Sequence, residues 1–105
     1  MTETETREFI LQPTSRRGRA LSVRYERRGT LADLTVMAGG DSLFSGRVLA
    51  PFATILQTVA EMEESAQQAK EANEMMKYYG CMYIARHGRT QIASRLEIPE
   101  MAEYD

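Results

Sequence analysis

The feature that most constrains this chain is residues 51–79, where apolar side chains recur at Phe52, Ile55, Leu56, Val59, Met62, Ala66, Ala69, Met75 and Met76. That three-then-four spacing gathers them on one side of a helix. Pro51 suits a first helical position, Gly80 suits the left-handed residue that closes a helix, and no Gly or Pro interrupts the interior. The spacing predicts one continuous helix over 51–79. A rival signal, Ser65 with Gln68, has capping-box spacing and would begin a second helix after a break near Glu64.

At 1.5 Å per residue such a helix would span roughly 43 Å, against roughly 26 Å for a strand of about eight residues. The bulky first half belongs on the protein's own sheet. The second half continues with Ala66, Ala69, Asn73 and Met76, small or polar positions that suit a second helix, Asn73 being the residue type that fixes register in coiled coils. A homodimer through these four residues is the expectation. The alternative is a weakly apolar end that is solvated or covered by the C-terminal segment.

Around the helix the pattern is that of short strands. Leu21, Val23 and Tyr25 alternate with Ser22, Arg24 and Glu26. A two-residue turn at Arg28-Gly29 would pair Tyr25 with Ala32, Val23 with Leu34 and Leu21 with Val36. A three-residue loop at Gly39-Gly40-Asp41 would pair Val36 with Phe44, Leu34 with Gly46 and Ala32 with Val48, apolar against apolar or glycine. The outer face then reads Arg24 beside Asp33 beside Arg47. Residues 8–12 suit a short strand stopped by Pro13, and residues 81–98 a second hairpin around His87-Gly88-Arg89. That hairpin's register stays open, with Ile92 opposite either Ile84 or Tyr83. The expected class is α+β: an antiparallel β-meander, one long central α-helix, then a C-terminal β-hairpin completing the sheet. Residues 1–6 read as a mobile tail, 7–98 as a single domain and 99–105 as an acidic tail.

Function is less legible. The 105 residues carry a formal net charge of −2, which argues neither for nor against nucleic acid. The distribution says more: residues 14–28 hold six arginines, Arg16, Arg17, Arg19, Arg24, Arg27 and Arg28, against Glu26 alone. With Arg47 they form the candidate binding surface. Cys81 alone permits no intrachain disulfide and no zinc motif. No apolar run reaches membrane-spanning length and residues 1–8 lack the apolar core of a signal peptide, so a cytoplasmic location is expected. No metal, cofactor or small-molecule substrate is expected. Met62, Met75, Met76 and Met82 read as gap-fillers, and Tyr78 and Tyr79 as interface anchors.

Residues 82–90, Met-Tyr-Ile-Ala-Arg-His-Gly-Arg-Thr, resemble the opening box of the histidine phosphatase and phosphoglycerate mutase family. The resemblance implies a phosphoryl-accepting His87 and a phosphate-holding Arg86. It covers nine residues, and His87 is the only histidine, so the second basic residues that stabilise phosphoryl transfer are missing. His87-Gly88 is therefore read as turn chemistry. A meander followed by a helix also resembles, in layout alone, dimeric single-strand-binding coactivator domains. The expected function is a small non-enzymatic interaction protein, a homodimeric regulator or inhibitor of phage or plasmid type. It would bind a protein partner through its charged faces. The alternative is a single-stranded nucleic-acid accessory protein using the Arg-rich loop and the sheet face, with Tyr25 or Tyr83 as stacking residues.

Overall fold

The structure, a computed structural model, describes residues 4–102. Four strands, β1 (Thr4–Leu11), β2 (Leu21–Arg28), β3 (Leu31–Ala38) and β4 (Asp41–Leu49), precede two helices, α1 (Ala50–Glu71) and α2 (Met75–Leu96), and a 3-10 turn at Pro99–Ala102. The strands form one antiparallel sheet in the order β1-β2-β3-β4, with β1 and β4 as its edges. The α+β class and the antiparallel sheet hold. The single long helix and the C-terminal hairpin do not: the chain makes a helical hairpin, and residues 81–98 lie in α2 and the turn that follows it.

The expected faces of the sheet are found, with one register corrected. Gly29, at φ 63, and Thr30 form the first turn, so Arg28 faces Leu31 and Tyr25 pairs with Leu34, Val23 with Val36. The pairing slides by two residues from the expected one, which leaves every side chain on its expected face. At the second turn, Ala38 faces Asp41 across Gly39-Gly40, and a bulge leaves Leu43 unopposed, with Val36 opposite Phe44 and Met37 opposite Ser42. A two-residue turn plus one bulged residue thus produces the same register as the expected three-residue loop. Leu21, Val23, Tyr25, Ala32, Leu34, Val36 and Ala38 are buried on the helix-facing side.

Helix α1 ends at a Schellman motif: Glu74 N–H donates to Ala69 O at 2.8 Å and Asn73 N–H to Lys70 O at 3.1 Å, with Asn73 at φ 60. Asn is among the few non-glycine residues that accept the left-handed conformation. Asn73 is therefore the residue that breaks the rod. Neither the capping box at Ser65 nor Gly80 marks an end, since Ser65 is inside α1 and Gly80 inside α2.

The α1–α2 contact explains why residues 81–98 are helical. The face of α2 turned to α1 and the core carries Ala85, Gly88, Arg89, Ile92 and Ala93, all buried, at helical spacing. Two of these are alanine, one is glycine and one is charged, so the stripe is weakly hydrophobic and invisible as a helical period. Gly88 is a contact residue: a Cβ there would come within 2.6 Å of Val59 Cγ2. Arg95 lies over the Phe52 ring at 5.4 Å, completing an antiparallel packing from Phe52 upward. Leu56, Val59, Ile92, Ile98 and Met101 join the sheet residues in one core.

Candidate interaction surfaces

Arg89 ties the layers together. Its side chain is 2% exposed, forms an ion pair with Glu63 of α1, donates to Gln12 O beyond β1 at 2.8 Å, and reaches Met101 O at 3.4 Å. A buried guanidinium whose donors reach three separate segments is satisfied and structural. Arg86 and His87, the two residues to which the phosphatase resemblance assigned chemistry, are exposed on the opposite flank of the same helix. The box needs a strand opening into a loop; here its residues form uninterrupted helix, and the His87 ring stacks on Tyr83 at 6.4 Å between centroids and 7° between planes. Cys81 is half-buried on α2, not on a strand.

The arginines singled out by sequence lie on two regions. Arg16 and Arg17 sit in the turn between β1 and β2, and Arg19 bridges Asp41 at 2.7 Å and Glu100 at 3.1 Å. Those two carboxylates hold the Arg19 guanidinium above its ordinary pKa, hydrogen bonding to Asp41 being the main cause. On the open face of the sheet, Arg24 lies 3.3 Å from Glu8, Arg47 3.3 Å from Asp33 and Arg28 2.9 Å from Glu26, while Arg27, on the same side as Tyr25, donates to Gly29 O at 3.2 Å. Arg24 therefore sits beside Glu8 and Thr35, not beside Asp33 and Arg47 as expected. The face alternates in sign instead of forming a positive stripe. Tyr25, a proposed stacking residue, is buried on the other face, where its hydroxyl donates to Gln57.

The four residues assigned to a dimer are likewise separated. Ala66 and Ala69 are buried, and the helix that packs along α1 is the chain's own α2. Asn73 is exposed in the interhelical turn, and Met76, 89% exposed, faces outward on α2.

Sequence reasoning missed the surface that Met76 begins. Met76, Tyr79, Gly80, Tyr83, Ile84 and His87 fall at i, i+3, i+4, i+7, i+8 and i+11, which is one side of α2, opposite the buried stripe. Tyr83 is 74% exposed, Tyr79 62% and Ile84 50%. Lys77, Arg86 and Arg95 flank this apolar strip, and α2 contains no acid at all. Helix α1 by contrast carries Glu61, Glu63, Glu64 and Glu71. The signal was present as a period of exposed aromatics, but it emerges only once residues 81–98 are read as helix.

A second surface is concave. Arg7 to Ile10 of β1, the segment after it, the Gln57–Lys70 side of α1, and Tyr78 and Met82 of α2 enclose a groove of about 1010 Å³. No group of three or more His, Cys, Asp or Glu able to hold a metal is found among the described residues, and none of the described helices is long and apolar enough to cross a membrane. Compared with known proteins, the chain matches no family model, no curated protein and no solved structure.

Proposed function

We propose that this protein is a non-catalytic interaction module whose recognition surface is the outward side of α2. The observation that carries this reading is the exposed strip Met76, Tyr79, Tyr83 and Ile84, with the positive charges of Lys77 and Arg86 at its margins. Large apolar side chains exposed together on one helix side are the anchors of helix-in-groove recognition, spaced i, i+3, i+7. Tyrosine suits such a surface because one end is apolar and the other tolerates water. Gly80 adds a second argument. A helix-interior glycine costs about 1 kcal/mol relative to alanine, and nothing lies within 4 Å of where its Cβ would be, so no contact among the described residues accounts for it. A partner backbone approaching closely at Gly80 does. The absence of acids on α2 selects a protein partner with an apolar groove and an acidic rim.

Replacing Tyr83 with a photo-crosslinking phenylalanine analogue in the native host tests this, with Ser94, exposed on the polar half of α2, as the control position. The expected result is one dominant adduct from position 83, abolished by Ile84→Glu and absent from position 94. An adduct of twice the monomer mass identifies a second copy as the partner. Equal labelling from both positions, or none from either, overturns the proposal. Single-stranded nucleic acid is the second reading, favoured by tyrosines interleaved with basic residues on α2. It requires that a labelled oligonucleotide bind and weaken steeply with salt.

A further inference from the structure

Helix α1 runs for 22 residues to Glu71, and the eight residues after Glu63 extend about 12 Å at the helical rise. Helix α1 begins next to the β2–β3 turn, where Ala50 N–H donates to Thr30 O at 2.8 Å, and has reached the far end of β1 by Glu63, whose partner Arg89 holds Gln12 O. The remaining part of the helical hairpin therefore continues past the β1 corner. Beneath it lies the groove described above, with the edge of β1 as one wall and Ala60, Gln67 and Met82 among its helical lining. An edge strand turns half of its backbone N–H and C=O groups away from the sheet. Here those groups border a concavity lined by Arg7, Glu8, Phe9 and Ile10.

We propose that this groove receives an extended, basic segment of a partner protein, which pairs with β1 as a fifth strand. Charge complementarity selects the occupant. Glu8, Glu61 and Glu64 line the groove together with Arg7 and Lys70; Arg7 is already occupied by Glu5 at 2.7 Å and Glu8 by Arg24 at 3.3 Å. Glu63 is committed to Arg89. Glu61 and Glu64 are exposed on α1 and have no ion pair with a basic side chain among the described residues. In strand addition the backbone supplies affinity and alternate side chains supply specificity. Alternate side chains of a strand point to opposite faces, so the segment that fits sets lysine or arginine on the helix side, stems under Ala60 and Met82 and ammonium groups toward Glu61 and Glu64, and small or medium apolar residues on the open side beside Ile10, 58% exposed. A volume of about 1010 Å³ is at the upper end of the roughly 300–1,000 Å³ of ligand pockets, which suits several residues of extended chain. This site is separate from the outward side of α2 and does not depend on it.

The probe is an eight-residue peptide of alternating Lys and Val, labelled with fluorescein, titrated against the full chain by anisotropy and by amide NMR shifts. Three comparison peptides carry Glu for Lys, Gly for Val, or N-methylation of every second backbone nitrogen. Binding of the Lys-Val peptide is expected, with shifts confined to Arg7–Ile10, the Gln57–Lys70 side of α1, and Tyr78 and Met82 of α2. Glu61→Gln with Glu64→Gln should weaken it at least tenfold, one N-methylated register should abolish it, and Tyr83→Ser should leave it unchanged. No binding at millimolar peptide overturns the proposal, as does equal binding of the Glu-Val peptide, indifference to N-methylation in both registers, or shifts on α2's outward side. Loss of crosslinking at Tyr83 with peptide binding intact removes the α2 reading alone.

Discussion

Two glycines of the same helix, Gly80 and Gly88, have opposite consequences. Gly88 is buried against Val59, and a methyl group there would have to displace a stiff β-branched side chain that is itself buried. Overpacking of this kind costs about 1–3 kcal/mol, more than the roughly 1 kcal/mol of helix propensity gained. Gly88→Ala should lower stability in urea unfolding, and Gly88→Ala with Val59→Ala should recover part of the overpacking cost. Gly80 meets nothing, so Gly80→Ala should raise stability by about 0.5–1 kcal/mol while weakening crosslinking through Tyr83. A further residue-scale effect concerns pH. Burial, the largest cause, raises the Tyr25 phenol above its usual pKa. Between the usual value of about 10 and the raised one, the unfolded chain has released a proton that the folded chain keeps. Stability contributed by Tyr25 is thus complete below pH 10 and is lost as pH rises through that window. Tyr25→Phe should flatten the fall in melting temperature as pH rises above about 10; an identical fall in both proteins would refute the assignment.

At the scale of elements, the decisive event is the reversal at Asn73. A left-handed residue there lets α2 return along α1 and cover Ala66 and Ala69. Asn73→Gly should be neutral or mildly stabilising, while Asn73→Val, a β-branched residue at positive φ, should cost about 1–2 kcal/mol. Because a hinge that disfavours its turn invites exchange of elements between copies, the valine variant should also show a concentration-dependent dimer by light scattering. The sheet's own turns are more tolerant. Sliding the first hairpin by two residues, or exchanging a three-residue loop for a two-residue turn and a bulge, keeps the buried face intact. Alternation therefore made the sheet's inner face legible, although turn positions were off by one.

At the scale of the whole molecule, sheet, helices and C-terminal turn are joined through Arg89. Arg89→Leu leaves Glu63 without its cation and removes the donors to Gln12 O and Met101 O. Breaking one side of a buried pair costs about 3–5 kcal/mol, a large share of the roughly 5–15 kcal/mol typical of a domain. Replacing both Arg89 and Glu63 by Leu should recover a good part of that loss, because no carboxylate then remains stranded; a double variant as weak as the single one would show that the carbonyl contacts dominate. Arg24→Ala and Arg47→Ala, which break exposed pairs, should change stability by less than about 1 kcal/mol.

Residue order alone determined the α+β class, the inner face of the meander and the start of α1 at Ala50-Pro51, because these rest on local alternation, turn residues and a proline's fixed φ. It implied one unbroken rod over 51–79 that would outrun the sheet and seek a companion; the rod instead breaks at Asn73. Only tertiary packing decided that the companion is the chain's own C-terminal segment. The stripe that makes α2 a helix consists of Ala85, Gly88, Arg89, Ile92 and Ala93, whose small volumes and single charge gain meaning only against Val59 and Glu63. A glycine or an arginine in a linear pattern reads as a turn; packed into a complementary surface, each becomes a reason for helix.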